Sequence, residues 1–382
     1  MISFDEALRI VNQHRFVGSN EVRSLWESVG YVLAEDIMAT FPMPRFRSSA
    51  MDGYAVGSPE GPWAVTHAVA AGERALPISA REAARILTGA PVPEGAIAVI
   101  PQEECTATDG NVDGPCRVGG HIREVGEDIH EGQCVAMKGT RITPAVVSAC
   151  AAFGVTSIQV CSRPKVALIV TGNELQVAGT PLGDADLYDS NRPGLESALA
   201  WLGSRPDTFG CPDDLDVLCD RIESASQKHD LILTTAGVSV GDHDYVRPAM
   251  ERLGFEIHFS GVAMKPGKPV TFARRGEVSW LALPGNPMSA LTTFALFATA
   301  WMGRETRWRW EALAKSYSHK PGREAFVPIR FRMDGVEPLT SVGSHAVAGL
   351  VGAEGLARIP AEQPDILPGQ MVQVCALPWG CA

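Results

Sequence analysis

Two lysines at i and i+3 stand in Met264-Lys265-Pro266-Gly267-Lys268-Pro269, and each is followed at once by proline. Proline fixes its own φ at about −65° and restricts the residue before it. The run therefore has little backbone entropy to lose when both ammonium groups are aimed at one ligand, and it reads as an oxyanion clamp. The plain alternative is a solvated turn. The acidic candidates stand beside glycines. Glu174 closes the run Thr171-Gly172-Asn173-Glu174, and Gly241-Asp242-His243-Asp244-Tyr245 sets two carboxylates before a helical stretch. Either aspartate reads as an N-cap. As a pair they also suit Mg2+, a hard cation that binds carboxylate and phosphate oxygens together.

Three glycine-bearing loops follow apolar runs. They are Thr171-Gly172-Asn173-Glu174-Leu175 after 166–171, Thr235-Ala236-Gly237-Val238-Ser239-Val240-Gly241 after 231–235, and Pro284-Gly285-Asn286-Pro287 after 278–283. In open α/β sheets ligands bind at the carboxyl ends of strands, where glycine lets backbone N–H groups approach an anion. A single loop of this kind reads equally well as a simple turn from strand to helix, but three on one sheet edge are far more specific. Upstream, Asp52 lies in Ser48-Ser49-Ala50-Met51-Asp52-Gly53-Tyr54-Ala55 behind Arg45 and Arg47. Thr88 opens Thr88-Gly89-Ala90-Pro91-Val92-Pro93, and Asp128 lies in Val125-Gly126-Glu127-Asp128-Ile129. Each of these alone rates as a turn.

The elements that must position these groups fall into four parts. Ser3 and Glu6 make a capping box, with Phe4, Leu8 and Val11 on one face of a first helix. A second helix is expected over 22–29. From about Pro42 to Gly139 short apolar runs alternate with Gly, Pro and Asp-Gly turns, which predicts a small β-rich domain. Pro144 to Gly154 returns to helix and carries the chain back beside the first helices, so the first domain is expected to be discontinuous. The runs at 166–171, 231–235 and 278–283 alternate with helical stretches at 194–202, 214–228 and 245–253. That alternation predicts a parallel sheet covered on both faces. Strands at 325–333 and 371–377 predict a terminal β-barrel or sandwich. The expected division is 1–44 with 139–163, 45–138, 164–303 and 304–382.

Composition excludes several classes. The chain of 382 residues carries a formal net charge of −11, against the basic face that general nucleic-acid binders present. Its nine cysteines are odd in number, lack a CxxC pair and fit reduced thiols in the cytoplasm rather than a disulfide framework or zinc site. No secretory or transit signal is expected at the start, and the apolar stretch 288–301 is too short to span a bilayer comfortably. That stretch reads as a buried helix.

In order and wording these motifs resemble the molybdopterin molybdenumtransferase family, known as MoeA in bacteria and as the E domain of gephyrin in animals. The resemblance is carried by SSAMDGYAV, TGAPVPEGA, IREVGEDI, VTGNEL, YDSNRPGL, TAGVSVGDHDYV, MKPGKPVTF and LPGNPMSAL, at similar spacing over nearly the whole chain. It implies a multidomain α/β and β protein: a parallel α/β sandwich of the molybdopterin-binding type, a β-rich insertion domain and a C-terminal β-barrel. It further implies a homodimer in which the β-rich domain of one subunit closes over the pterin site of the other. The implied reaction consumes adenylyl-molybdopterin and molybdate and releases AMP, with Mg2+ assisting.

By motif position the resemblance assigns catalysis to Asp52, Thr88, Asp128, Glu174, Lys265 and Lys268. It assigns cofactor binding to Thr171, Gly172, Asn173, Gly237, Ser239, Gly241, Pro284, Gly285 and Asn286, and metal binding to Asp128, Asp242 and Asp244; Asp214 aligns with a further acidic position. The implied partners are small-molecule substrates, a second subunit and a cofactor-delivering adenylyltransferase, with no nucleic acid and no membrane. Four departures stand out. Asn173 replaces the Asp of TGDEL, Ala236 replaces a glycine, Ile97 replaces a usual Asp, and His345 and Gly349 interrupt the terminal motif. They leave the choice between molybdate and tungstate open. Two other readings, an adenylyltransferase-like enzyme and a non-enzymatic pterin-binding scaffold, fit less of the chain or fewer of its charged residues.

Overall fold

The computed structural model describes residues 1–236, 245–339, 346–363 and 365–380. The chain divides into two compact units, Met1–Ser19 with Ser162–Ala382, and Asn20–Cys161.

In the first unit a six-stranded sheet runs in the order Asp207–Cys211, Val166–Thr171, Leu231–Thr235, Val278–Leu283, Thr271–Arg275, Glu256–Ser260. The first four strands are parallel, and the fifth runs antiparallel to both its neighbours. Alternate residues feed two separate cores. Val166, Leu168, Val170, Leu231, Leu233, Leu281 and Leu283 face one, and Ala167, Ile169, Ile232, Trp280 and Ala282 face the other. Strands buried on both faces read as unbroken apolar runs, which is why they were legible. Helices Asn191–Trp201 and Pro287–Thr293 cover the first face, and Leu215–Ser226 and Val246–Arg252 the second.

The helix Phe4–Gln13 also packs on the first face through Phe4, Ala7 and Val11, with the Ser3 hydroxyl accepting the Glu6 N–H at 3.2 Å. The apolar stretch after Pro287 is buried except for half-buried Leu291 and continues as a π-turn, Phe294–Ala298, and then Thr299–Trp301. Among the described residues no helix is long and apolar enough to cross a membrane.

The C-terminal part is a second sheet in the order Met264–Lys265, Glu324–Arg332, Gly355–Ile359, Met371–Ala376, Arg309–Ala312, with Gly335–Pro338 also on Glu324–Arg332. An isolated bridge, Leu313 to Val336, joins the chain after Arg309–Ala312 to Gly335–Pro338 and closes the sheet into a small barrel. Leu313, Val327, Ile329, Val336, Ala357 and Val374 fill its interior. The strand Met264–Lys265 comes from the α/β part of the chain yet pairs in parallel with Glu324–Ala325.

The second unit holds a six-stranded sheet, Ala98–Pro101, Gly53–Val56, Glu82–Ile86, Trp63–Val69, Asn111–Asp113, Thr106–Thr108, and a three-stranded one, Asn20–Ser24, Ser157–Cys161, Val32–Leu33. The expected helix over 22–29 is absent. Asn20–Ser24 is a strand paired with Ser157–Cys161, and turns follow to Gly30 at φ 80°. Val22, Trp26 and Val29 share a helical spacing but remain 63%, 86% and 44% exposed. A short helix that buries no stripe has little to hold it. The return of the chain is therefore a strand pairing. The helix Pro144–Ala152, capped by Thr143, lies in this unit, whereas Phe4–Gln13 lies in the other.

Candidate active site

The carboxyl ends of Val166–Thr171, Leu231–Thr235 and Val278–Leu283 open on a cleft of about 770 Å³ in the first unit. The strand ends are tied together. Thr171 Oγ1 donates to the Thr235 carbonyl at 3.0 Å, and Asn191 Nδ2 donates to the Gly285 carbonyl at 2.7 Å. Ala236 has φ 70°, in the left-handed region that glycine occupies freely, so the family glycine at this position has a backbone reason. A Cβ on Gly285 would lie 3.1 Å from that of Ala236, so the two loops are in direct contact. Among the described residues Asn191 Oδ1, buried at the cleft, has no hydrogen-bond partner.

On the first loop Gly172 has φ 142°, and a Cβ there would meet the Glu174 carboxylate at 2.9 Å. Glu174 itself is exposed and lines the cleft. Asn173 turns to the adjoining groove and makes a reciprocal pair. Its backbone N–H donates to Asp213 Oδ2 at 3.2 Å, and its side-chain carbonyl accepts the Asp213 N–H at 3.2 Å. Asp214 instead caps the helix Leu215–Ser226 by accepting the Val217 N–H at 3.0 Å. The carboxylate facing the Glu174 loop therefore belongs to Asp213, and Asp214 serves as the helix cap.

The lysine segment is a wedge with a buried middle: Pro266 and Gly267 are buried, while Lys265 and Lys268 are exposed toward the cleft. Gly267 has φ 109°, and a Cβ there would stand 2.4 Å from Thr293 Cγ2. The carbonyl of Lys268 accepts the Val262 N–H at 2.8 Å, fixing the far end. Among the described residues neither lysine has a carboxylate within ion-pair distance, whereas Asp189 on the same cleft is engaged by Arg192 at 3.4 Å. Two unneutralised ammonium groups on one concave cleft favour an anion.

In the second unit Asp52 and Thr88 are brought together. Asp52 Oδ1 accepts the Thr88 N–H at 2.7 Å and the Thr88 hydroxyl at 2.8 Å, and these bonds hold its carboxyl below the usual carboxylate range. Asp128 lies exposed on a turn whose N–H donates to the Met43 carbonyl at 3.0 Å. Gly237, Ser239, Gly241, Asp242, Asp244 and His345 lie outside the described residues. Among the described residues no group of three or more His, Cys, Asp or Glu could hold a metal ion.

Three stretches match known families: residues 2–154 the MoeA N-terminal region (domain I and II), 167–303 the probable molybdopterin binding domain, and 312–377 the MoeA C-terminal region (domain IV). The molybdopterin molybdenumtransferase of Bacillus subtilis is 34% identical over 401 residues, covering 98% of this chain and 93% of its own. Molybdopterin molybdenumtransferase 2 of Mycobacterium tuberculosis is 33% identical over 404 residues, covering 96% and 99%. The chain belongs to the molybdopterin molybdenumtransferase family. The crystal structure of the molybdopterin biosynthesis MoeA protein from Pyrococcus horikoshii OT3 superposes with a TM-score of 0.83 at 26% identity, covering 98% of this chain and 100% of that one.

Within this transferase family fold, Thr171, Glu174, Lys265, Lys268, Pro284, Gly285 and Asn286 share the cleft. Gly172 and Asn173 shape the groove beside it. Sequence reasoning missed Asn191, Asp213 and Arg323. Asn191 stood inside the motif YDSNRPGL, and Arg323 closes a Lys-Pro-Gly-Arg turn just before a predicted strand, so both carried a readable signal.

Proposed function

We propose that the protein transfers molybdenum from molybdate into adenylyl-molybdopterin and releases AMP, as a step of molybdenum cofactor biosynthesis. The observation that carries this reading is the pair of unneutralised lysines, Lys265 and Lys268, facing three strand-end loops across one cleft. Molybdate and a phosphate-bearing pterin repel each other, so fixed cations in a site of low dielectric are the feature the reaction most needs. Lys265 and Lys268 hold the oxyanion charge. Glu174, exposed beside them, accepts hydrogen bonds from water or from a protonated oxyanion and so orients it. Asp52, whose carboxyl Thr88 holds below the usual range, is the second unit's candidate catalytic carboxylate.

Mg2+ belongs to this reading through donor chemistry. Asp128, Asp242 and Asp244 offer hard carboxylate oxygens, and substrate phosphate would complete the shell. When bound, the ion would neutralise charge on the pyrophosphate. The reading also includes a homodimer that shares the site between subunits, a cytoplasmic location and an adenylyltransferase that supplies the adenylylated pterin.

The test is to mix the purified protein with adenylyl-molybdopterin, Mg2+ and molybdate or tungstate and to follow AMP. AMP release should depend on molybdate, stop with a chelator and return with Mg2+. Glu174→Gln should slow turnover by about tenfold or more without lowering the melting temperature, as expected for loss of a positioned acid–base group. Release of AMP at the same rate with and without oxyanion would sink the reading.

A further inference from the structure

We propose that His14, His258 and Arg274 form an acid-sensitive latch, which holds the last turn of the first helix against the edge of the six-stranded sheet and releases it when His14 takes up a proton. The latch lies wholly in the first unit and shares no residue with the cleft.

His14 caps the carboxyl end of Phe4–Gln13, where its N–H donates to the Val11 carbonyl at 3.2 Å. Its half-buried side chain reaches the antiparallel pair Glu256–Ser260 and Thr271–Arg275, where Arg274 Nη1 donates to His14 Nδ1 at 2.9 Å. A guanidinium has only donors and keeps its charge. His14 Nδ1 is therefore the bare nitrogen of a neutral imidazole whose proton sits on Nε2. The His258 ring lies against that of His14 with centroids 4.5 Å apart, and Phe272 closes the group at 6.1 Å from His14 and 5.8 Å from His258. Among the described residues the buried Arg274 Nε has no hydrogen-bond partner, and the carboxylate nearest this guanidinium is exposed Glu277 at 3.6 Å.

Once protonated, His14 would turn a donor toward a donor and add a cation beside a guanidinium and a second imidazole. The charged and titratable groups facing it are His258 and Glu256 from one strand and Arg274 from the other, with Glu277 beyond the turn. Phe294–Ala298 and Thr299–Trp301, which pack on the same helix, carry no titratable side chain. Arg358 and Glu324 meet the helix at its opposite end, at Asp5. A histidine at a helix carboxyl end is ordinarily favoured as a cation by the macrodipole. Here burial first, then His258 and Arg274, push the His14 pKa below its ordinary value, and exposed Glu256 offsets only part of this. The latch's contribution is thus complete above the unfolded-state value and is lost as pH falls through the lower folded value. Release is local, because Phe4, Ala7 and Val11 stay buried and the Phe16 N–H still donates to the Trp301 carbonyl at 2.7 Å. The helix so held also backs the lysine segment: Ile2 bridges Val262, and its carbonyl accepts the Ala263 N–H at 2.8 Å.

The test follows two signals in the full-length protein between about pH 8 and pH 5: the His14 imidazole by NMR, and the amide-exchange protection of the helix's last turn. The helix Leu215–Ser226 serves as the internal reference. The His14 midpoint should lie below the ordinary histidine value. As it is crossed, the last turn should lose protection relative to the reference by about threefold or more. His14→Gln, whose amide oxygen accepts from Arg274 at every pH, should keep its protection over the same range. Arg274→Met, which retains bulk but removes the charge and the donor, should move the His14 midpoint up toward the ordinary value. The inference is overturned if His14 titrates at or above that value, if Arg274→Met leaves the midpoint where it was, or if His14→Gln loses protection in acid as the wild type does. Where His14→Gln proves unstable, the two titrations decide alone. None of these readings uses the cleft or its substrates.

Discussion

At the scale of single residues, charge in this protein is set by backbone and hydroxyl donors as much as by ion pairs. The Asp52 carboxylate accepts two bonds from Thr88 and has its pKa lowered for that reason. Its contribution to stability is therefore present above the unfolded-state value and is lost as pH falls through the lower folded value. Thr88→Val keeps the N–H and deletes the hydroxyl, so the Asp52 pKa should rise part of the way back toward its ordinary value. Carboxyl NMR titration of the variant would show this, and an unchanged Asp52 midpoint would refute it. The pairing of Asn173 with Asp213 belongs to the same scale. The sequence showed that an amide had replaced a carboxylate, but not that the side-chain carbonyl spans forty residues to another loop. Nor could it tell which of two adjacent aspartates would be consumed as a helix cap, because both are equally good caps by type.

At the scale of elements, legibility followed burial. The parallel strands were readable because both faces of the sheet are covered and their residues are apolar without interruption. The helix expected over 22–29 failed because its apolar spacing serves no packed face. The two-residue strand Met264–Lys265 was invisible, since the partner that defines it lies at 324–325. The bend behind the lysines yields a prediction of its own. Gly267 combines φ 109° with a side-chain direction blocked by Thr293, so Gly267→Ala must strain or displace the wedge. A left-handed non-glycine residue costs about 1–3 kcal/mol, and the clash adds to it. The variant should melt lower and bind molybdate more weakly than it binds the pterin. A structure of Gly267→Ala with both ammonium groups in place and molybdate bound as in wild type would contradict this.

At the scale of the molecule, sequence reasoning found the parallel sheet and the β-rich part of the chain but not how the chain ends are joined. Nothing local announces that residues 1–19 belong with the unit formed by 162–382. The joint rests on Arg358 of the barrel strand Gly355–Ile359. Its guanidinium holds both Asp5 oxygens at 2.9 and 2.7 Å, bonds Glu324 at 2.7 Å and lies 5.1 Å over the Phe4 ring. It thereby fixes the first helix to the barrel whose opening turn carries Arg323. Truncating it would leave Asp5 and Glu324 without their shared cation, and among the described residues the buried Glu324 Oε2 already has no partner. Charged bonds of this kind contribute about 1.5–3 kcal/mol each at most, and partial exposure of Asp5 reduces the total. Arg358→Ala should therefore lower stability by about 2–3 kcal/mol and make the first helix susceptible to proteolysis before the rest of the unit unfolds. Asp5→Asn should cost less, and the pair of substitutions together should cost less than the sum of the two, since they share one contact. Additive losses in urea melts of the double variant would show that the helix is held by its buried Phe4, Ala7 and Val11 alone.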